Sequence, residues 1–286
     1  MPDGEAPRID ARTLALTAAA LTAFAANSLL CRLALGAGTI DAASFTSLRI
    51  VSGALMLALV LVLVPGRRGG EPRRGWLGPA MLFLYAIAFS YAYLELTAGT
   101  GALILFACVQ ITMLAAGIRG GERVRAAQWL GMACAFAGLA YLVFPGVTAP
   151  PPAGALAMAL AGVAWGVYSL AGRGVANPLA ATARNFRLAA PLALAVSLLW
   201  YSSYHLTARG AVLAATSGAL ASGLGYVVWY AALPGLGATR AAFVQLSVPV
   251  LTAVAGVLLL SEPVTLRLVL AGAAILGGVA LAVRSK

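Results

Sequence analysis

Charge is scarce in this sequence. Of 286 residues, 8 are acidic and 19 are lysine or arginine, so 9% are charged, against about 25% in soluble globular chains. Too few charges remain to cover a compact surface in water, which excludes an ordinary soluble domain. Histidine occurs once, as His205, and no H-E-x-x-H string is present. An intramembrane enzyme, which needs a nucleophile and base or metal ligands within the bilayer, therefore finds no constellation here. Cys31, Cys108 and Cys134 each lie inside an apolar run. With neither paired metal spacing nor an extracellular disulfide pattern, they read as small packing residues. No cleavable signal peptide is expected: the start, MPDGEAPRIDAR, is polar and acid-containing, and the following apolar run is long enough to stay in a membrane as the first helix.

What is present is apolar. Hydrophobic residues make up 62% of the chain, with a mean hydropathy of +0.95. A spanning helix needs about 20 mostly apolar residues. The chain offers ten such runs, at 12–35, 43–64, 76–96, 100–118 and 126–145, then 154–173, 180–201, 210–232, 237–260 and 266–284. The expected class is an all-α membrane protein. The breaks carry turn and stop signals: PGRRGGEPRRG, LTAGTG, RGGERVR, PGVTAPPP, LPGLG and SEPV. Around Gly99 the joint is so tight that one kinked helix would also fit.

The net charge of +11 is explained by topology and anionic headgroups rather than nucleic acid, because the basic residues fall between the apolar runs. With the N-terminus cytoplasmic, the inner side holds Arg8, Arg12, Arg67, Arg68, Arg73, Arg74, Arg119, Arg123, Arg125, Arg173, Arg184, Arg187, Arg240, Arg284 and Lys286. The outer side holds only Arg32, Arg49, Arg209 and Arg267. The positive-inside rule then places both termini in the cytoplasm, as expected of the inner membrane of a bacterium. Trp76, Trp129, Tyr141, Trp200, Tyr201 and Tyr204 fall at the boundaries, as an aromatic belt would.

Residues 101–143 align without gaps on 241–283. Ala102 meets Ala242, Thr112 meets Thr252, Glu122 meets Glu262, and Gly138 meets Gly278. Such self-similarity reads as a duplication, with residues 1–146 and 147–286 as two five-helix repeats. Each holds an odd number of spans, so the copies face opposite ways. Inverted repeats characterise many secondary transporters, with substrate near the midplane between halves.

Ten spans in five-plus-five halves, with a Glu closing the fourth and ninth helices ahead of a Gly-rich fifth and tenth, resemble the drug/metabolite transporter superfamily. The strings SVPVLTAVAGVLLLSEPVTLRLVLAGAAILGGVAL and GERVRAAQWLGMACAFAGLAYL are similar to its EamA-type repeat. The second half is the closer match, since Val109-Gln110 stands where Pro249-Val250 stands later. FACVQITM and WGVYSLAGRG look like the YddG-type aromatic amino acid exporters. The resemblance implies a secondary transporter that exports neutral, aromatic amino acids and related metabolites by alternating access. Other cargo of the superfamily (purines, cationic drugs, short-chain thiol compounds) stays open, whereas a passive pore would need a more polar lining.

Candidate substrate-binding residues are the mid-depth polar groups Asn27, Gln110, Gln245 and Ser247, with the aromatics Tyr85, Phe89, Trp165 and Tyr168. Aromatic walls suit planar side chains. Interhelical hydrogen bonding is the competing explanation for the polar groups, and an interfacial position for Tyr168. Gly162, Gly166 and Pro249 are hinge candidates, Pro249 as a kink in the ninth helix. Gly131, Gly218, Gly277 and Gly278 are expected at close helix contacts. Glu122 and Glu262 are expected to cap or brace the helix that follows each. No lysine or arginine is expected at mid-membrane, Arg49 being placed near a helix end. A zwitterion would then be held by amides, hydroxyls and helix ends. No catalytic residue, metal or cofactor is expected. The partners are an amino acid-like small molecule and the lipid bilayer, and the oligomeric state is open, a monomer being sufficient.

Overall fold

A computed structural model describes residues 10–64, 75–120, 125–146, 148–172 and 175–284. Its helices are α1 (Ala11–Gly36), α2 (Ala42–Leu63), α3 (Leu77–Glu95), α4 (Ala98–Arg119), α5 (Ala126–Val143), α6 (Pro152–Ala171), α7 (Pro178–Leu199), α8 (Ala208–Thr216), α9 (Gly225–Gln245), α10 (Ser247–Leu260) and α11 (Leu266–Arg284). A π-helical segment, Ser217–Leu224, joins α8 to α9 without interruption. Glu122, and with it Arg8, Arg67, Arg68, Arg73, Arg74, Arg123, Arg173 and Lys286, lies outside the described residues.

Local chemistry starts these helices. The Asp10 carboxylate accepts from Thr13 N at 2.8 Å, Asp41 from Ser44 N at 2.9 Å, and Asn177 Oδ1 from Ala180 N at 3.0 Å. Each satisfies an amide left free in a first helical turn. Pro152 and Pro178 open α6 and α7, where a missing N–H costs nothing. The joint near Gly99 is a true break: α3 ends at Glu95, Thr97 caps α4, and Gly99 lies inside α4.

Among the described residues seven helices, counting Ala208–Leu236 as one, are long and apolar enough to cross a membrane; Ser247–Leu260 and Leu266–Ala282 are shorter apolar helices. Leu55, Leu63, Leu156, Leu198, Leu258 and Leu266 point outward, while Thr46, Arg49, Ser90, Ser217 and Thr252 are buried. Apolar side chains facing out, with the few polar ones held inside, suit a lipid surrounding. Trp76, Trp129, Tyr141, Trp200, Tyr201 and Tyr204 are all exposed. Cys134 also faces outward, whereas Cys31 and Cys108 are buried.

The eighth and ninth spans differ from expectation. LPGLG does not form an open loop; helical winding passes through Pro234 and Gly235 and is interrupted only at Leu246. The chain still turns back within it. Gly225 abuts Ala23 and Gly235 abuts Thr13, so α9 first descends antiparallel to α1. Gln245, however, lines a cavity with Asn27, about 21 Å farther along α1 than Thr13. The chain therefore reverses between Gly235 and Gln245.

Pro249 is accordingly not a mid-helix kink. It is the third residue of α10, which begins at Ser247, and a first-turn residue has no intrahelical partner for its N–H. Small residues set the helix spacing. A Cβ on Gly131 would meet the carbonyl oxygen of Gly278, and one on Gly278 that of Gly131, locking α5 to α11. Gly162 presses on Leu105 O and Gly166 on Thr112, so both serve as contacts of α6 with α4. Gly277 has nothing within 4 Å and makes no close contact.

Candidate functional site: a central aromatic cavity

Six elements converge on one interior cavity, lined by Phe24, Asn27 and Ser28 of α1, Tyr85 and Phe89 of α3, Leu105 and Phe106 of α4, Trp165 of α6, Ala221 of the π segment, and Tyr226 and Gln245 of α9. Its volume is about 30 Å³, room for about two waters. The aromatic rings form a continuous wall. Trp165 lies 4.8 Å from Tyr85 and 5.2 Å from Tyr226 between ring centroids, and stacks on Tyr168 at 5.3 Å. Phe24 meets Tyr226 edge-on at 6.0 Å.

Of the residues expected from sequence, Asn27, Tyr85, Phe89, Trp165 and Gln245 meet in this cavity. Tyr168 stands behind Trp165, buried rather than interfacial, and its hydroxyl accepts from Asn185 at 3.5 Å. Gln110 does not line the cavity; its Nε2 is buried and finds no acceptor among the described residues. Ser247 is spent locally, donating to Val244 O at 2.6 Å. Tyr226, whose position in the sequence suits a membrane boundary equally well, lines the cavity.

The principal correction concerns Arg49. It is 2% exposed and lies in the interior, seven residues into α2, about 10 Å from the helix start. The sequence gives this distance from a helix end; what it does not give is the burial, which comes from the packing of α2 on α3 and on the π segment. Arg49 Nη2 donates to Tyr85 Oη at 3.0 Å and Nε donates to Ser222 Oγ at 3.3 Å. Its guanidinium carbon is 5.0 Å from the Tyr85 ring centroid and 4.9 Å from that of Phe89. Nη1 is buried and has no partner among the described residues.

The described carboxylates are engaged elsewhere. Asp10 caps α1, and Asp41 caps α2 and accepts from His205 N at 3.1 Å. Glu95 accepts from Gly154 N at 2.8 Å. Glu262 accepts from Ala98 N and faces Arg32 Nε at 3.4 Å, so it braces α4 and not the helix that follows it. Among the described residues, then, Arg49 has no anionic partner. Burying a charge within a membrane protein is costly, and the cation–π contacts return about 2 kcal/mol when desolvated.

The remaining polar cluster comes from winding invisible in the sequence. Asn27 Oδ1 accepts from Ser217 Oγ at 2.7 Å and Ser222 Oγ at 3.5 Å, while its Nδ2 donates to Tyr85 Oη at 3.3 Å. In an α-helix, residues five apart diverge by about 140°. The wider π winding closes i→i+5 and turns Ser217 and Ser222 to the same side. Such segments concentrate at functional sites.

A model of the EamA-like transporter family matches residues 152–284, essentially the second half. The chain belongs to the EamA-like transporter family. It is 56% identical over 273 residues to an uncharacterized protein of Pseudomonas aeruginosa, covering 95% of this chain and 94% of that one. A solved crystal structure with 21% identity superposes with a TM-score of 0.66 over 96% of both chains, which shows a shared fold. This EamA-like protein is therefore a multi-pass membrane transporter of small molecules. These similarities reach the family and stop short of its YddG-type branch.

Proposed function

We propose that this transporter exports neutral, aromatic amino acids and related metabolites through the central cavity by alternating access between two inverted five-helix halves. The observation that carries the reading is the cavity wall: Phe24, Tyr85, Phe89, Phe106, Trp165 and Tyr226 surround the amide and hydroxyl groups of Asn27, Ser28 and Gln245. Offset stacking selects planar side chains, and the polar groups suit the backbone end of an amino acid.

Helix packing supports two inverted halves. With α8, the π segment and α9 as the eighth span, the exchange of halves pairs first with sixth, second with seventh and third with eighth. The contact of α3 with α6 is matched by that of α9 with α1, and α4 with α6 by α10 with α1; α2 packs on α7 and α5 on α11. Side chains repeat the relation. Exchange turns the Gly131–Gly278 approach into Ala271–Gly138, and a Cβ on Gly138 does meet Ala271 O, at 3.1 Å. On this reading ten spans leave both termini in the cytoplasm of a bacterium, and Gly162 and Gly166 are points where the halves rock.

The test is counterflow. Purified protein in liposomes preloaded with unlabelled phenylalanine, tyrosine, tryptophan, leucine, lysine or glutamate is given labelled phenylalanine outside. Uptake driven by the aromatic amino acids and not by lysine or glutamate is expected. No exchange with any aromatic or aliphatic amino acid would sink this cargo and leave the family membership standing.

A further inference from the structure

Arg49 is a buried cation with no counter-charge among the described residues, and we infer that it is the carboxylate-binding group of the transport site. The inference rests on the amino acid reading above and supplies what the aromatic wall leaves unexplained, namely how the charged end of the cargo is held.

The geometry leaves one approach. A guanidinium presents five N–H donors in a plane. Both rings that pack on it, Tyr85 and Phe89, also line the cavity. Two positions on its edge are taken, Nε by Ser222 and Nη2 by Tyr85. Nη1 remains, buried and unpartnered among the described residues. Asn27 and Tyr85, which line the cavity, connect to the same cluster, so the cation is one side chain behind the wall. Tyr85 and Phe89 line the cavity and pack on the guanidinium, which does not line it, so cargo reaches Nη1 only when these two rings move apart.

A monoanionic carboxylate matches this site in charge and hydrogen bonding. A phosphate dianion would leave one negative charge unanswered, since among the described residues no second cation joins the cluster. Lysine would not substitute for Arg49, because a single ammonium lacks the planar fork that holds Ser222 and Tyr85 while a further edge stays free.

The experiment measures binding to purified protein by intrinsic tryptophan fluorescence and thermal shift, with three probes: phenylalanine, phenylacetate (carboxylate, no amine) and phenethylamine (amine, no carboxylate). Wild type is expected to bind phenylalanine and phenylacetate and to bind phenethylamine at least about tenfold more weakly. Arg49→Gln is expected to lose about 10- to 100-fold in affinity for both carboxylates, with Arg49→Lys in between. Should Arg49→Gln fail to fold, the wild-type probe series and Arg49→Lys decide. The inference is overturned if wild type binds neither carboxylate, if phenethylamine binds as tightly as phenylacetate, or if folded Arg49→Gln keeps wild-type affinity. Failure of the cargo reading is a different result: no phenylalanine counterflow, yet phenylacetate binding that depends on Arg49.

Discussion

Glu262 and Arg32 meet 3.4 Å apart where three helices converge, and the same carboxylate accepts from Ala98 N at 2.9 and 3.0 Å. One side chain beyond the end of α10 thus holds α1 and the first turn of α4. Arg32 extends the tie to α3 by donating to Tyr93 O at 3.1 Å. Removing Glu262 withdraws a charged cap and the partner of a half-buried cation together. Glu262→Ala is expected to cost about 1–2 kcal/mol, read by thermal unfolding in detergent. The double mutant with Arg32→Ala should lose less than the sum of the singles, by about 0.5 kcal/mol or more. Strict additivity would show that the pair is a surface contact of no consequence.

Two glycines give a matched prediction on packing. A Cβ on Gly218 would collide with the carbonyl oxygen of Arg49 and the Ser52 hydroxyl, whereas one on Gly277 meets nothing within 4 Å. Gly218→Ala must therefore push the π segment away from α2, at about 1–3 kcal/mol. Gly277→Ala gains helix propensity, about 0.5–1 kcal/mol. Melting temperatures should move in opposite directions. A fall for both would mean that the space around Gly277 is filled by another molecule.

Much of this architecture is legible in residue order because the signals are local. Apolar runs of spanning length give α1 to α7 to within a few residues, and Asp10, Asp41, Thr97, Pro152 and Asn177 mark their starts by chemistry acting within one turn. Tyr85, Phe89 and Trp165 can be found because a large ring at mid-depth has few explanations. What cannot be read depends on a second helix. Ser217 and Ser222 share a side only because the backbone widens against α2, and nothing in SGALASGL specifies that. The Pro-Gly pair at 234–235 looks like a loop, yet Gly235 is pressed onto Thr13, and wound backbone is what fits there. The sequence shows Arg49 near a helix end, and its burial is decided by how α2 packs on α3.

Asp10 gives the pH prediction. Its hydrogen bonds from Thr13 hold its carboxyl below the ordinary aspartate range. A folded value below the unfolded one means that the charged cap stabilises α1 above about pH 4 and that this is lost as pH falls through the folded value. Amide exchange at Thr13, corrected for its intrinsic rate, should quicken below pH 4 in wild type. In Asp10→Asn, which caps without ionising, the corrected rate should stay level. An identical profile in both proteins would place the sensitivity elsewhere.

Tyr85 carries more than its ring. Its hydroxyl oxygen accepts from Arg49 Nη2 at 3.0 Å and from Asn27 Nδ2 at 3.3 Å, and both donors are buried. Tyr85→Phe keeps the ring, the wall and the contact with Trp165 but leaves two donors unpaired, one of them charged. An unsatisfied buried donor costs about 1–3 kcal/mol, more for a charged group, so this nearly isosteric change should cost at least about 2 kcal/mol in thermal or denaturant unfolding. Combining it with Asn27→Ala separates the two bonds. The Asn27–Tyr85 bond is lost in either single mutant, so the double mutant should be less destabilised than the sum of the two. The residual cost of Tyr85→Phe in the Asn27→Ala background then reports on the bond to Arg49 alone. A residual near zero would mean that Nη2 is readily satisfied without Tyr85, and that Arg49 is not held rigidly in place by it.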